Sequence, residues 1–251
     1  LVKFPATLPV KKLWGEGVGG GKKQTVLRLG LGPAVDNGVV FAASHKGEVL
    51  AASLDTGRHL WVKHLKLPLS AGPGAGAGMV VVGSSKGVIV ALDGATGRQL
   101  WRTHVNSELL SAPAVSEKMV VMRSVDGRLH GFNAHDGKEV WSLEQQVPRL
   151  SLRGTATPII AKEVAISGFD NGKVMAVSLN TGDTVWDTAL ASPHGRTELD
   201  RLVDIDSAVR AVGENVFATG FQGRTAMIAL DSGQIWWAHD MSSYRGLAVD
   251  A

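Results

Sequence analysis

Short apolar runs alternate with turn residues along most of the chain, and the β-rich ones are Val39–Phe41, Met79–Val82, Met119–Met122, Val164–Ile166 and Val216–Phe217. Strand-length runs spaced by about 8–12 residues, with turns between, predict an all-β chain. No helical period of useful length competes with them.

The runs belong to a repeat. Lys46-Gly47 leads through Leu54-Asp55-Thr56-Gly57 to Trp61, and four further copies end on Trp101, Trp141, Trp186 and Trp237. In every copy the first glycine precedes the second by ten residues, and the second precedes the tryptophan by four. Trp237 is therefore the repeat tryptophan of the fifth copy, and Trp236 fills the aliphatic slot before it. Pro33, Pro73, Pro113 and Pro158 each stand 14 residues before the first glycine, where the fifth copy has Val209. Each unit predicts four short strands: one after the proline, the β-rich run, one between the two glycine turns, and one ending on the tryptophan. X-Gly dipeptides suit hairpin turns, and a period of about 40 residues with four strands is that of a propeller blade. The predicted fold is an all-β β-propeller of four-stranded antiparallel blades, five of them complete. The repeated tryptophan reads as packing between blades, each burial contributing on the order of 2–3 kcal/mol.

Part-repeats stand at both ends. Val10 to Trp14 resembles the last strand of a blade, and Gly246 to Asp250 resembles Gly32 to Asp36, a first strand. The expectation is one propeller domain over residues 1–251. Residues 1–18 would be a leader and closing strand, and 241–251 the first strand of an incomplete blade. Further repeats are expected outside this chain, because an open arc leaves strand edges and faces uncovered.

The repeats differ in one place only. From tryptophan to the next proline position the spacing is 12, 12, 17 and 23 residues, so five and then eleven extra residues fall in the connection between blades. Insertions at equivalent places in an array project from one face, which predicts two neighbouring loops flanking the fourth blade. The first holds Val147-Pro148-Arg149-Leu150-Ser151-Leu152-Arg153-Gly154, and the second runs from Arg196 through Leu199, Leu202 and Asp204 to Asp206. Aliphatic residues mixed with fixed charges suit a protein-binding patch; the plainer alternative is that the leucines tuck under their own loops and the charges pair locally.

Composition narrows the chemistry. The 31 glycines suit many tight turns. The net charge of +3 is spread along the chain rather than clustered, which gives no nucleic-acid footprint. With no cysteine there is no disulfide, thiolate metal site or thiol nucleophile. No apolar run approaches the roughly 20 residues of a membrane-spanning helix, and Leu1 to Pro9 has no signal-peptide apolar core. Gly15-Glu16-Gly17-Val18-Gly19-Gly20 matches a dinucleotide fingerprint without its strand and helix context. Gly83-Ser84-Ser85-Lys86-Gly87 matches a nucleophile elbow but falls on a hairpin turn of the repeat. The eight histidines form no His-x-His or His-x-x-x-His pair, no calcium-ligand cluster stands out, and no carboxylate pair demands acid–base chemistry.

The repeat Ala91-Leu92-Asp93-x-x-Thr96-Gly97-x-x-x-Trp101 resembles the pyrroloquinoline-quinone-type propeller repeat. Quinoprotein dehydrogenases of that type use adjacent cysteines and calcium, so the missing cysteines count against a dehydrogenase fragment. The whole chain, most specifically Leu150 to Gly154 and Thr197 to Asp206, is similar to the BamB family, lipoproteins of the outer-membrane β-barrel assembly machinery of Gram-negative bacteria. The resemblance implies an eight-bladed ring, no cofactor and no catalysis. It implies binding to the periplasmic repeat domains of the barrel subunit BamA, and to the rest of the complex, through Leu150, Leu152, Arg153, Asp204 and Asp206. The leucines and Arg153 would anchor the partner; Asp204 and Asp206 would position the loop or pair with a basic partner. It further implies lipid anchoring at the periplasmic face of the outer membrane, with nascent outer-membrane proteins as further partners. An unrelated propeller adaptor remains the other alternative.

Overall fold

Turn chemistry cuts the chain into strands of two to eight residues. The structure, a computed structural model, describes residues 10–19, 30–152, 155–193, 196–197, 199–200, 202–243 and 246–249. The first blade comprises β1 (Ala34–Asp36), β2 (Val39–Ala43), β3 (Glu48–Ser53) and β4 (His59–His64). The second comprises β5 (Leu69–Gly76), β6 (Met79–Ser84), β7 (Val88–Asp93) and β8 (Gln99–His104). The third comprises β9 (Ala114–Val115), β10 (Met119–Arg123), β11 (Arg128–Asn133) and β12 (Glu139–Glu144). The fourth comprises β13 (Ile159–Ala161), β14 (Val164–Gly168), β15 (Lys173–Ser178) and β16 (Thr184–Ala189). The fifth comprises β17 (Arg210–Val212), β18 (Asn215–Thr219), β19 (Arg224–Ala229) and β20 (Ile235–Asp240). Every sheet keeps its strands in chain order and antiparallel, and no helix occurs among the described residues. These are propeller blades, as the repeat predicts. Residues 246–249 carry no strand.

Blades stack because their middle strands are apolar on both faces. Alternate residues of a strand point to opposite sides, so Val120 and Met122 of β10 pack toward the second blade while Met119 and Val121 pack toward the fourth. Four buried clusters result, each bridging two consecutive blades. First strands also touch in succession, β1 on β5, β5 on β9, β9 on β13 and β13 on β17, which makes them the inner wall of the arc.

The constant glycine-to-tryptophan spacing has a direct cause. Each of the first four repeat tryptophans reaches across to the next blade and donates its indole N–H to a turn carbonyl there: Trp61 to Gly94, Trp101 to Ala134, Trp141 to Leu179 and Trp186 to Leu230, at 2.7 to 2.9 Å. Trp14 does the same to Leu54 at 2.7 Å. The ring lies over the second glycine of that turn. At Gly182, φ is +76° and an added Cβ would stand 2.8 Å from the Trp141 ring, so conformation and contact both exclude a side chain. Every third-to-fourth strand pair carries a register shift at the residues facing the tryptophan, as at Ala176/Val177, a bulge that twists the outer edge.

Candidate functional site

The two lengthened connections share one rim. The connection leaving β12 starts by donating Gln145 N–H to Gly127 O at 3.0 Å, and the one leaving β16 starts with Leu190 N–H on Gly172 O at 3.0 Å. Both therefore begin against the hairpin between the second and third strands of their own blade. Further along they meet. The Leu152 N–H donates to Asp204 Oδ2 at 3.0 Å, a bond between residues 52 apart in sequence. The predicted pair of neighbouring loops is a single surface.

Within that surface the apolar residues divide. Leu150 and Leu199 are exposed, at 41% and 65%, while Leu202, Val203 and Ile205 are buried and Leu152 is half-buried. The division follows the repeat: Leu69, Leu109 and Ile205 each stand four residues before the proline position, and all three are fully buried. Ile205 closes over Gly168, where an added Cβ would meet its Cγ2 at 2.3 Å, and its amide donates to Phe169 O at 3.3 Å. The last residues of the second loop thus keep the packing of the short connections, and the extra length is thrown outward. Its exposed tip is a small turn in which Thr197 N–H donates to Asp200 Oδ2 and Asp200 N–H to Thr197 Oγ1, both at 3.1 Å. Hydrogen bonding to its carboxylate from the Thr197 hydroxyl, and then from the Thr197 N–H, holds the Asp200 carboxyl below its ordinary range.

Asp204 is fully buried. Its backbone pairs with Phe221, the Phe221 N–H donating to Asp204 O at 2.7 Å, and its side chain faces inward to Leu152. Of the two roles open to it, positioning fits this placement and direct pairing with a basic partner does not. Asp206 is half-buried, and Arg153 lies outside the described residues. Leu150, Leu152, Asp204 and Asp206 are thus brought together on one rim.

Two residues that the sequence reading passed over complete the cluster. Arg123, at the end of β10, is 1% exposed; it donates to Gly168 O at 2.8 Å, pairs with the Asp170 carboxylate, and lies 4.7 Å from the Phe169 ring centroid. Asp170 in turn stands with Asp204 and Asp206, one carboxylate oxygen of each lying within 4.8 Å of the other two. The fold assembles this acidic cluster by laying the second lengthened connection, with Asp204 and Asp206, against the β14–β15 hairpin that carries Asp170. Burial, then the charges of Asp206 and Asp170, push the Asp204 carboxyl up to about 8, against smaller opposing effects of the Leu152 N–H and Arg123. A signal was present in the repeat. Arg123 stands where other blades have Ala43, Gly83, Gly168 and Thr219, and Asp170 where they have His45, Ser85, Val125 and Phe221.

A serine–histidine–glutamate chain also forms in the third blade. Ser124 Oγ lies 2.9 Å from His130 Nε2, and His130 Nδ1 lies 2.7 Å from Glu139 Oε1, beside a recess of about 400 Å³. The spacing is that of a nucleophile–base–acid set. Ser124 is nevertheless fully buried and its hydroxyl also bonds Asp126. Its repeat equivalent Ser84 caps the same hairpin, accepting the Val88 N–H at 3.0 Å. A turn-capping serine enclosed on all sides cannot reach an acyl carbon.

Stacked blades carrying one loop-built, partly apolar patch on a rim define the class: a β-propeller whose distinctive feature is a pair of lengthened, joined inter-blade connections. The pattern of the family described as outer membrane protein assembly factor BamB matches residues 46–251. The outer membrane protein assembly factor BamB of Pseudomonas aeruginosa is 51% identical over 248 residues, covering 99% of this chain and 65% of that protein. The Escherichia coli protein of the same name is 38% identical over 104 residues, 41% of this chain and 26% of its own length. The crystal structure of BamB from Moraxella catarrhalis superposes with a TM-score of 0.80 at 26% identity, over 87% of this chain and 66% of that one. A quinohemoprotein alcohol dehydrogenase from Comamonas testosteroni shares the fold alone, with a TM-score of 0.63 at 13% identity over 86% of this chain and 44% of that one. The chain belongs to the BamB family of outer-membrane protein assembly factors. It spans 65% of the length of the Pseudomonas relative, and the close relatives are named as assembly factors, not as enzymes.

Proposed function

We propose that this chain is the greater part of a non-enzymatic scaffold that binds the barrel subunit BamA and assists folding and insertion of β-barrel outer-membrane proteins. In this reading it is a single propeller, held by a lipid anchor at the periplasmic face of the outer membrane. The observation that carries the reading is the Leu152–Asp204 bond, which joins the two lengthened connections into one rim and leaves Leu150 and Leu199 pointing to solvent. Exposed leucines, with Arg153 three residues after Leu150 in the sequence, supply what a hot spot needs: apolar anchors and a cation capable of charge-assisted bonds. Asp204 serves from beneath by fixing the backbone of Leu152. Pairing of nascent strands with the outer edges has less support, because each outer strand carries a bulge.

Capture of the BamA periplasmic domains by immobilised protein tests this. Leu150→Ala and Arg153→Ala should each weaken capture by about 2 kcal/mol, roughly thirtyfold. Capture at wild-type strength by both variants would remove these loops from the interface.

A further inference from the structure

Asp204 Oδ2 holds the Leu152 N–H, while Asp204 Oδ1 is buried with no hydrogen-bond partner. Asp204 has little freedom on the side away from Leu152, where Phe221 grips its backbone. Among the described residues the charged groups facing it are Asp170 and Asp206, with Arg123 beyond Asp170. Arg123 makes Asp170 the fixed member of the trio, since that pair is buried in the wall between two blades and backed by Gly168 O and the Phe169 ring. Buried carboxylates this close repel strongly when all are ionised, and a shared proton relieves them. If the proton leaves, what can yield is the Asp204 side chain, which turns away and releases the Leu152 segment that its carboxyl holds.

We propose that Arg123 and Asp170 are positioning residues for the loop surface, acting through Asp204 as a clasp on Leu152 that stays closed only while the three carboxylates retain one proton. Burial and the two neighbouring carboxylates place the Asp204 transition near pH 8, so the clasp is closed at neutral pH and opens on the alkaline side. The consequence for partner capture rests on the function proposed above; the clasp itself does not.

Amide exchange at Leu152, read by NMR on the whole chain and corrected for intrinsic rates between pH 6 and 9.5, tests the clasp directly. Wild-type protection should fall at least tenfold through pH 8. Asp204→Asn keeps an acceptor for Leu152 and cannot ionise, so its protection should stay level across the range. Asp170→Asn removes one repelling charge, which should move the transition to lower pH by a unit or more while the fold, monitored by other core amides, is unchanged. Level protection in the wild type, or loss of protection in Asp204→Asn above pH 8, overturns the proposal. Saturable protection of Leu152 by added calcium or magnesium at pH 9, absent in Asp204→Asn, also overturns it, because the trio is then a cation site. Capture of BamA measured on the same samples separates the two readings. If exchange behaves as expected and capture ignores the transition, the clasp stands and the loops are not the docking surface.

Discussion

Replacing Trp141 by Phe removes one inter-blade latch with least disturbance to shape. Trp141 is 7% exposed and its indole N–H donates to Leu179 O, itself buried, at 2.8 Å. Phenylalanine retains most of the ring contact with Gly182 but leaves that carbonyl unsatisfied away from water. Such an orphan costs about 1–3 kcal/mol, and the smaller ring adds about 1 kcal/mol for the space it vacates. A loss near 3 kcal/mol is expected, or about 6–12 °C in Tm for a chain of this size. Trp237 is the built-in control: it ends the fifth repeat, is 37% exposed, and its indole has no hydrogen bond among the described residues. Trp237→Phe should cost under about 1 kcal/mol. Urea unfolding followed by far-UV circular dichroism reads both variants without relying on tryptophan emission. Equal losses in the two, or a Trp141→Phe effect below about 0.5 kcal/mol, would refute the idea that the indole bond, rather than ring burial alone, sets the latch.

Two further outcomes follow from the loop geometry. Leu202→Ala should destabilise by about 2–3 kcal/mol because Leu202 is buried, whereas Leu199→Ala should leave stability within about 0.5 kcal/mol and weaken BamA capture; thermal melts and capture assays check the split. Asp204 has a folded value raised above its unfolded one, so its contribution is fully present below about pH 4 and is lost as pH rises through about 8. Melting curves of the wild type minus those of Asp204→Asn should therefore decline across that window, with a limiting slope of about 1.4 kcal/mol per pH unit. Asp93 is shifted in the opposite direction, held low chiefly by the Thr96 hydroxyl; Thr96→Val should make unfolding in acid less steep below about pH 4.

The arc of blades was legible from the chain because its causes are local. A glycine ten residues before another and fourteen before a tryptophan marks two hairpin turns and a latch, and Val120 beside Val121 shows a strand covered on both faces. The position of the insertions was legible too, since length can accumulate only where the repeat leaves the sheet. What lay beyond reach was which loop residues turn inward. Leu199 and Leu202 are indistinguishable by type, yet one is exposed and the other buried. Asp204, which the sequence left open to positioning the loop or pairing with a partner, is enclosed, and Arg123 and Asp170, 47 residues apart, form a pair that no spacing rule announces. Turns and strand alternation depend on near neighbours along the chain. The burial of a charge depends on what the next blade places opposite it, and that is decided only when the blades close on one another.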